Sequence, residues 1–117
     1  METAEATEID TSWTKVCGLA EISVGSGTCA RLGGAQVAVF RISESEIRAV
    51  QNVCPHSGAP VLHQGMVGDQ GGEAKVACPL HKRVYSLEDG RNMSGEGGKL
   101  RVFGVRIEDD AVWVGGR

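Results

Sequence analysis

The chain has 117 residues, a formal net charge of −3 and only 4% aromatic residues. This length fits one domain with a mainly aliphatic core, and the 17 glycines favour turns over long helices. The acidic balance, without a run of Lys or Arg, argues against nucleic acid or an anionic membrane as a partner. Residues 1–10 are acidic and lack the features of a secretory signal, and no stretch is long and apolar enough to span a membrane. We therefore expect a flexible acidic tail, no membrane association and a cytoplasmic protein.

Short apolar runs separated by turn residues predict an all-β domain. A first strand is predicted at Trp13–Cys17. A second is predicted at Gln36–Ile42, where the sequence QVAVFRI is apolar on both faces, as in a strand buried on two sides. Residues 43–46 then turn the chain into an alternating strand at Ile47–Gln51.

The second half of the chain continues this pattern. Strands are predicted at 75–78 and 83–87, with a turn at Asp89-Gly90, whereas the sequence GMVGDQGG at residues 65–72 predicts a loop or hairpin tip. A C-terminal hairpin is predicted from two β-branched runs joined by acidic turn residues. Its strands are Leu100–Ile107 and Ala111–Val114, joined through Glu108, Asp109 and Asp110. The prediction is an antiparallel β-sandwich of seven to nine strands over residues 11–117, into which a loop-rich segment, residues 52–90, is inserted.

Two Cys/His motifs lie in this inserted segment, Cys54-Pro55-His56 and Cys78-Pro79-Leu80-His81. Each motif supplies one thiolate and one imidazole. Together they fit a binuclear [2Fe–2S] cluster in which one iron takes both cysteines and the other takes both histidines. The same four residues could form a tetrahedral zinc site in an interaction module, but common zinc modules group their cysteines in one half and their histidines in the other. The pattern therefore favours the iron–sulfur cluster, with zinc as the alternative.

The sequences CPHSGAPV and CPLHKRVYSLEDG resemble the two cluster-binding boxes of Rieske proteins. This resemblance implies a Rieske-type β-sandwich with an inserted cluster-binding subdomain. It also implies that Cys54 and Cys78 bind the inner iron, and that His56 and His81 bind the outer, more exposed one. High-potential Rieske proteins often place a tyrosine hydroxyl, here that of Tyr85, against a cysteine sulfur. They also carry a serine near the position of Arg83, and this chain does not. Because fewer hydrogen bonds would then reach the sulfurs, the resemblance implies a reduction potential toward the low end of the Rieske range.

The stretch from Gly58 to Leu87 resembles the small subunits of NAD(P)H-dependent assimilatory nitrite reductases, through GAPVLHQGMVGD, the Lys after the second box and VYSLEDG. The resemblance implies an electron-transfer subunit that is not catalytic alone. Its partner would be a large subunit carrying flavin, a [4Fe–4S] cluster and sirohaem, which reduces nitrite to ammonia. The alternative is a free-standing Rieske ferredoxin between a flavin reductase and an aromatic-ring oxygenase. The chain has no G-x-G-x-x-G motif for binding nicotinamide itself.

Three further side chains of chemical interest lie outside the motifs. Cys17 and Cys29 are predicted to be small buried apolar residues, with a disulfide between them as the alternative. His63 is predicted to have a surface or capping role, because the set of four ligands is already complete.

Overall fold

The computed structural model describes residues 13–80, 82–95 and 98–115. The predicted acidic tail and the predicted ligand His81 lie outside the described residues. The described part contains nine strands and two single-turn 3-10 helices, Leu19–Glu21 and Leu62–Gln64. The strands are β1 (Trp13–Gly18), β2 (Gly27–Leu32), β3 (Ala35–Ser43), β4 (Glu46–Gln51), β5 (Met66–Gln70), β6 (Glu73–Ala77), β7 (Val84–Ser86), β8 (Val102–Glu108) and β9 (Ala111–Gly115).

All strand pairs are antiparallel, and they form two sheets. The larger sheet has the order β1-β9-β8-β4-β3-β2, and the smaller has the order β5-β6-β7. The predicted all-β architecture is therefore confirmed. Among the described residues, no helix has the length and apolar character needed to cross a membrane.

The two cores lie on opposite faces of β3. Val37 and Val39 face one core, while Ala38 and Phe40 face the other, and all four are completely buried. This explains why the β3 sequence is apolar on both faces, since each buried aliphatic side chain contributes about 1.5–3 kcal/mol.

The sandwich core is built by the larger sheet, because β3 and β4 contribute to it together with β8 and β9. Its buried members are Ile22, Val37, Val39, Ile47, Ala49, Phe103, Val112 and Val114. The module core lies between the outer face of β3 and β4 and the smaller sheet. Its buried members are Ala38, Phe40, Val50, Cys54, Leu62, Ala74, Val76, Cys78, Tyr85, Leu87 and Leu100. The predicted site cysteines are thus part of a core.

The C-terminal hairpin is confirmed. β8 and β9 pair in register from Ala111 opposite Glu108 to Gly115 opposite Gly104. The two residues between the strands, Asp109 and Asp110, have φ values of 53° and 61°. These positive values are typical of the two-residue turn that matches the twist of a hairpin, and Asp tolerates them better than most residues.

The prediction for residues 65–72 is wrong over most of its length. Met66–Gln70 is strand β5, and only Gly71 and Gly72 form the turn to β6. This strand lies at a sheet edge and is held by backbone hydrogen bonds to β6, while Met66 is 79% exposed. A strand held in this way does not need alternating apolar side chains, and its sequence shows none. The edge strand β2, GTCARL, was missed for the same reason.

Candidate metal centre

The structure places three of the four predicted ligands. Cys54 and Cys78 are 0% and 1% exposed and belong to the same module core. His56 is exposed at the surface, two residues after Cys54. The first box therefore directs its sulfur inward and carries its imidazole on the outer side.

The two boxes adopt the same backbone pattern. In the first, Gly58 donates its N–H to the carbonyl of Cys54 (2.7 Å), and Cys54 donates to the carbonyl of Ala59 (2.9 Å). In the second, Lys82 donates to Cys78 (2.8 Å), and Cys78 donates to Arg83 (2.8 Å). Each cysteine thus closes a turn with the residues four and five positions later.

The fourth residue after each cysteine has a positive φ. Gly58 has φ 76°, and Lys82 has φ 58° at the equivalent place. A left-handed conformation costs a non-glycine residue roughly 1–2 kcal/mol, whereas glycine adopts it readily but loses about 0.5–1 kcal/mol in chain entropy on folding. The second box therefore stores backbone strain that the first box avoids.

We expect the substitution Lys82→Gly to raise the free energy of unfolding by about 0.5–1 kcal/mol, because it relieves this strain. Anaerobic urea denaturation of the holoprotein measures the change. Gly58→Ala is the reciprocal control: an added Cβ meets no atom within 4 Å there, so its cost is the left-handed backbone alone. A lower stability for Lys82→Gly would show that the lysine side chain stabilises the box.

The sulfur of Cys54 is surrounded by hydrogen-bond donors. Burial alone raises the pKa of a thiol. At Cys54 this effect is outweighed by the N–H and hydroxyl of Ser57, the hydroxyl of Tyr85 and the N–H of His56, which lower its pKa to about 7. The Tyr85 oxygen lies 3.7 Å from Sγ of Cys54. These surroundings suit a sulfur that carries negative charge.

Tyr85 is completely buried in β7. Burial raises the pKa of Tyr85 to about 12, assisted by the hydrogen bond to Cys54 and by the negative charge of Cys54 and Cys78. The tyrosine therefore keeps its proton and donates it toward the sulfur. Tyr85 also shares the module core with Cys54 and Cys78, so it lies beside both boxes.

The other two cysteines are free thiols, so the alternative of a disulfide between them is not realised. The prediction of burial is wrong for Cys29, which is exposed on edge strand β2, while Cys17 is half-buried against the sandwich core. His63 does not need to be a ligand, because its N–H and Nδ1 both contact the side-chain oxygen of Asn52, at 2.7 and 3.1 Å. Sequence reasoning did not single out Asn52, although it is a fully buried polar residue.

The residues present fit a [2Fe–2S] cluster of mixed ligation. Such a cluster would take two thiolates at one iron and two imidazoles at the other. Buried Cys54 and Cys78, with donors aimed at the Cys54 sulfur, and His56 on the outer side match this division. Within residues 13–80, 82–95 and 98–115, no three His, Cys, Asp or Glu side chains converge on one metal ion.

The family model of the Rieske-like [2Fe–2S] domain matches residues 12–115. The chain belongs to the Rieske-like [2Fe–2S] domain family. Its cofactor is therefore a [2Fe–2S] cluster, and the resemblance found in the two boxes is confirmed at the level of the family.

Three relatives are informative within this Rieske family. The chain is 36% identical over 105 residues to the nitrite reductase (NADH) small subunit of Salmonella typhimurium, covering 89% of this chain and 97% of that protein. It is 41% identical over 103 residues to the nitrite reductase [NAD(P)H] large subunit of Klebsiella oxytoca, covering 88% of this chain but only 11% of that subunit. The solution structure of the nitrite reductase [NAD(P)H] small subunit from Erwinia carotovora superposes with a TM-score of 0.77 at 30% identity, covering 92% of this chain and 83% of that one.

The contact between Tyr85 and Cys54 predicts a change in the potential of the Rieske cluster. Tyr85→Phe should lower the midpoint potential by about 40 mV, because a donor worth about 1 kcal/mol more to the reduced state is removed. Ser86→Ala is the matched control: Ser86 is a buried neighbouring hydroxyl, but it donates to Glu73 at 2.6 Å. A potential equally lowered in both variants would assign the change to packing, not to the sulfur contact.

Proposed function

We propose that this chain is the electron-transfer small subunit of an NAD(P)H-dependent nitrite reductase. One [2Fe–2S] cluster would be held by Cys54 and Cys78 on one iron and by His56 and His81 on the other. The observation that carries the proposal is the buried Cys54 sulfur with its converging donors, in a domain whose full-length relatives are nitrite reductase small subunits.

The bound cluster would supply reversible one-electron transfer. The chain itself keeps Cys54 and Cys78 out of water in the module core, and it keeps the Tyr85 proton directed at sulfur. It carries His56 on the surface, where a partner can approach within electron-transfer range. Electron transfer requires a partner that supplies or takes the electron, so the subunit would not be catalytic alone.

The proposed partner is a large subunit that carries flavin, a [4Fe–4S] cluster and sirohaem and reduces nitrite to ammonia in the cytoplasm. The match to a large subunit of Klebsiella oxytoca supports this pairing, because there the same kind of domain is part of the larger chain. The cluster-binding segment is proposed to be residues 52–90, since it contains both boxes and the smaller sheet.

Co-expression with the large subunit of the same genome tests this proposal. We expect the tagged small subunit to retain the large subunit on a column, and the complex to bleach the cluster absorbance with NADH or NADPH and recover it with nitrite. Purification of the small subunit alone, reducible only by a separate flavin reductase, would instead support the free-standing ferredoxin.

A further inference from the structure

Asn52 is completely buried, and its side chain makes polar contacts with four other residues. Its Nδ2 donates to the carbonyl of Pro60 (2.9 Å) and contacts Oε1 of Gln36 (3.4 Å) and Sγ of Cys29 (3.5 Å). Its Oδ1 accepts the backbone N–H of His63 (2.7 Å) and faces Nδ1 of the same residue (3.1 Å). Because a backbone N–H can only donate, this contact fixes which way the amide points.

These contacts lie at the neck of the first ligand loop. The first ligand loop is residues 53–60, and its neck is the pair Val53 and Pro60 at its two ends. The loop carries Cys54 and His56, and its ends meet in a β-bridge between Val53 and Pro60. Proline has no N–H to donate, so backbone pairing at this bridge is incomplete. The Asn52 amide reaches the carbonyl of Pro60 and supplies a hydrogen bond on that side.

The other side of the neck is held by the preceding residue. Gln51 donates its Nε2 to the carbonyl of Val53 (2.7 Å), and its Oε1 accepts the N–H of Arg101 (2.7 Å). Two consecutive amide side chains therefore bind the carbonyls at the two ends of the first ligand loop. Gln51 ties one end to the residue before β8, while Asn52 ties the other to β3 and to the 3-10 helix that contains His63.

We propose that Asn52 is a positioning residue that fixes the first ligand loop and thereby controls how firmly the cluster is retained. It touches no cluster ligand in these contacts, so it acts through the position of Pro60 and through the loop that holds Cys54 and the Ser57 donors. The inference rests on the proposed function, because it requires a cluster bound by this loop. Removing Asn52 would leave the Pro60 carbonyl and the His63 N–H without this buried partner, and the neck would open.

The test compares iron release from holoprotein variants to a ferrous chelator, together with the EPR line shape of the reduced cluster. Asn52→Ala removes all the side-chain contacts. Asn52→Asp keeps the volume and the acceptor for His63 but sets an oxygen against the Pro60 carbonyl. We expect both to release iron about 10- to 100-fold faster than the parent and to broaden the EPR signal. Asn52→Asp alone decides the comparison if Asn52→Ala does not accumulate as a folded protein.

One control separates positioning from general stability. Val112→Ala removes a completely buried side chain of the sandwich core. Rates are compared at the same interval below each Tm. Equal iron-release rates for the Asn52 variants and Val112→Ala, with an unchanged EPR signal, would overturn the inference. The proposed function would still stand in that case if the parent protein contains two irons. A parent that binds no iron would overturn both.

Discussion

The Cys54→Ser variant is expected to fold but to purify without its iron and without the visible absorbance of the cluster. Ligation requires a thiolate, and the donors around Cys54 lower its pKa to about 7, so the sulfur readily gives up its proton. A serine hydroxyl has nearly the same shape but does not ionise near neutral pH. Iron analysis and the absorbance spectrum of anaerobically purified protein measure the loss.

Cys17→Ser is the matched control for this experiment. It makes the same chemical change at a half-buried thiol on β1, which packs against the sandwich core and takes no part in either box. We expect this variant to retain the iron content and spectrum of the parent. Full iron content in Cys54→Ser, or loss of iron in Cys17→Ser, would contradict the proposed ligand set.

Gly90→Ala is expected to have the largest effect on stability, lowering the free energy of unfolding by about 3–5 kcal/mol. Gly90 has φ 83°, and an added Cβ would lie 2.1 Å from the carbonyl oxygen of Leu100. Gly90 also accepts the N–H of Leu100 at 2.8 Å. The added carbon would therefore break the contact that returns the cluster-binding half to β8.

Gly33→Ala separates strain from collision. Gly33 has a similar φ of 60°, but an added Cβ there meets no atom within 4 Å, so only the cost of the left-handed backbone applies, about 1 kcal/mol. Urea denaturation of both variants gives the difference. Similar losses at the two positions would show that the Leu100 segment can move away without cost.

The sequence was most informative where side chains repeat a pattern that burial requires. β3 was predicted because its side chains face two cores, and the last hairpin because acidic residues favour its turn. The edge strand β5 is not predicted because backbone hydrogen bonds hold it, and these do not depend on the type of side chain. Its residues include Gly68 and an exposed Met66, which give no apolar alternation.

Parts of the candidate site were hidden for a different reason. The two boxes were readable because their ligands are chemically distinctive, and Tyr85 was suggested by resemblance. Asn52 could not be predicted as a site residue, because the sequence does not distinguish a buried Asn from an Asn in an ordinary turn. The shared backbone of Gly58 and Lys82 was also hidden, because lysine carries no signal for a positive φ.

The mixed Cys/His ligation is tested most directly by EPR with ENDOR on the dithionite-reduced holoprotein containing ¹⁵N-labelled histidine. The proposed centre predicts a rhombic signal whose average g value lies below that of an all-cysteine ferredoxin, with strong couplings from the nitrogens of His56 and His81, because imidazole binds the reduced iron. A signal without histidine couplings, or a colourless protein containing zinc, would contradict it.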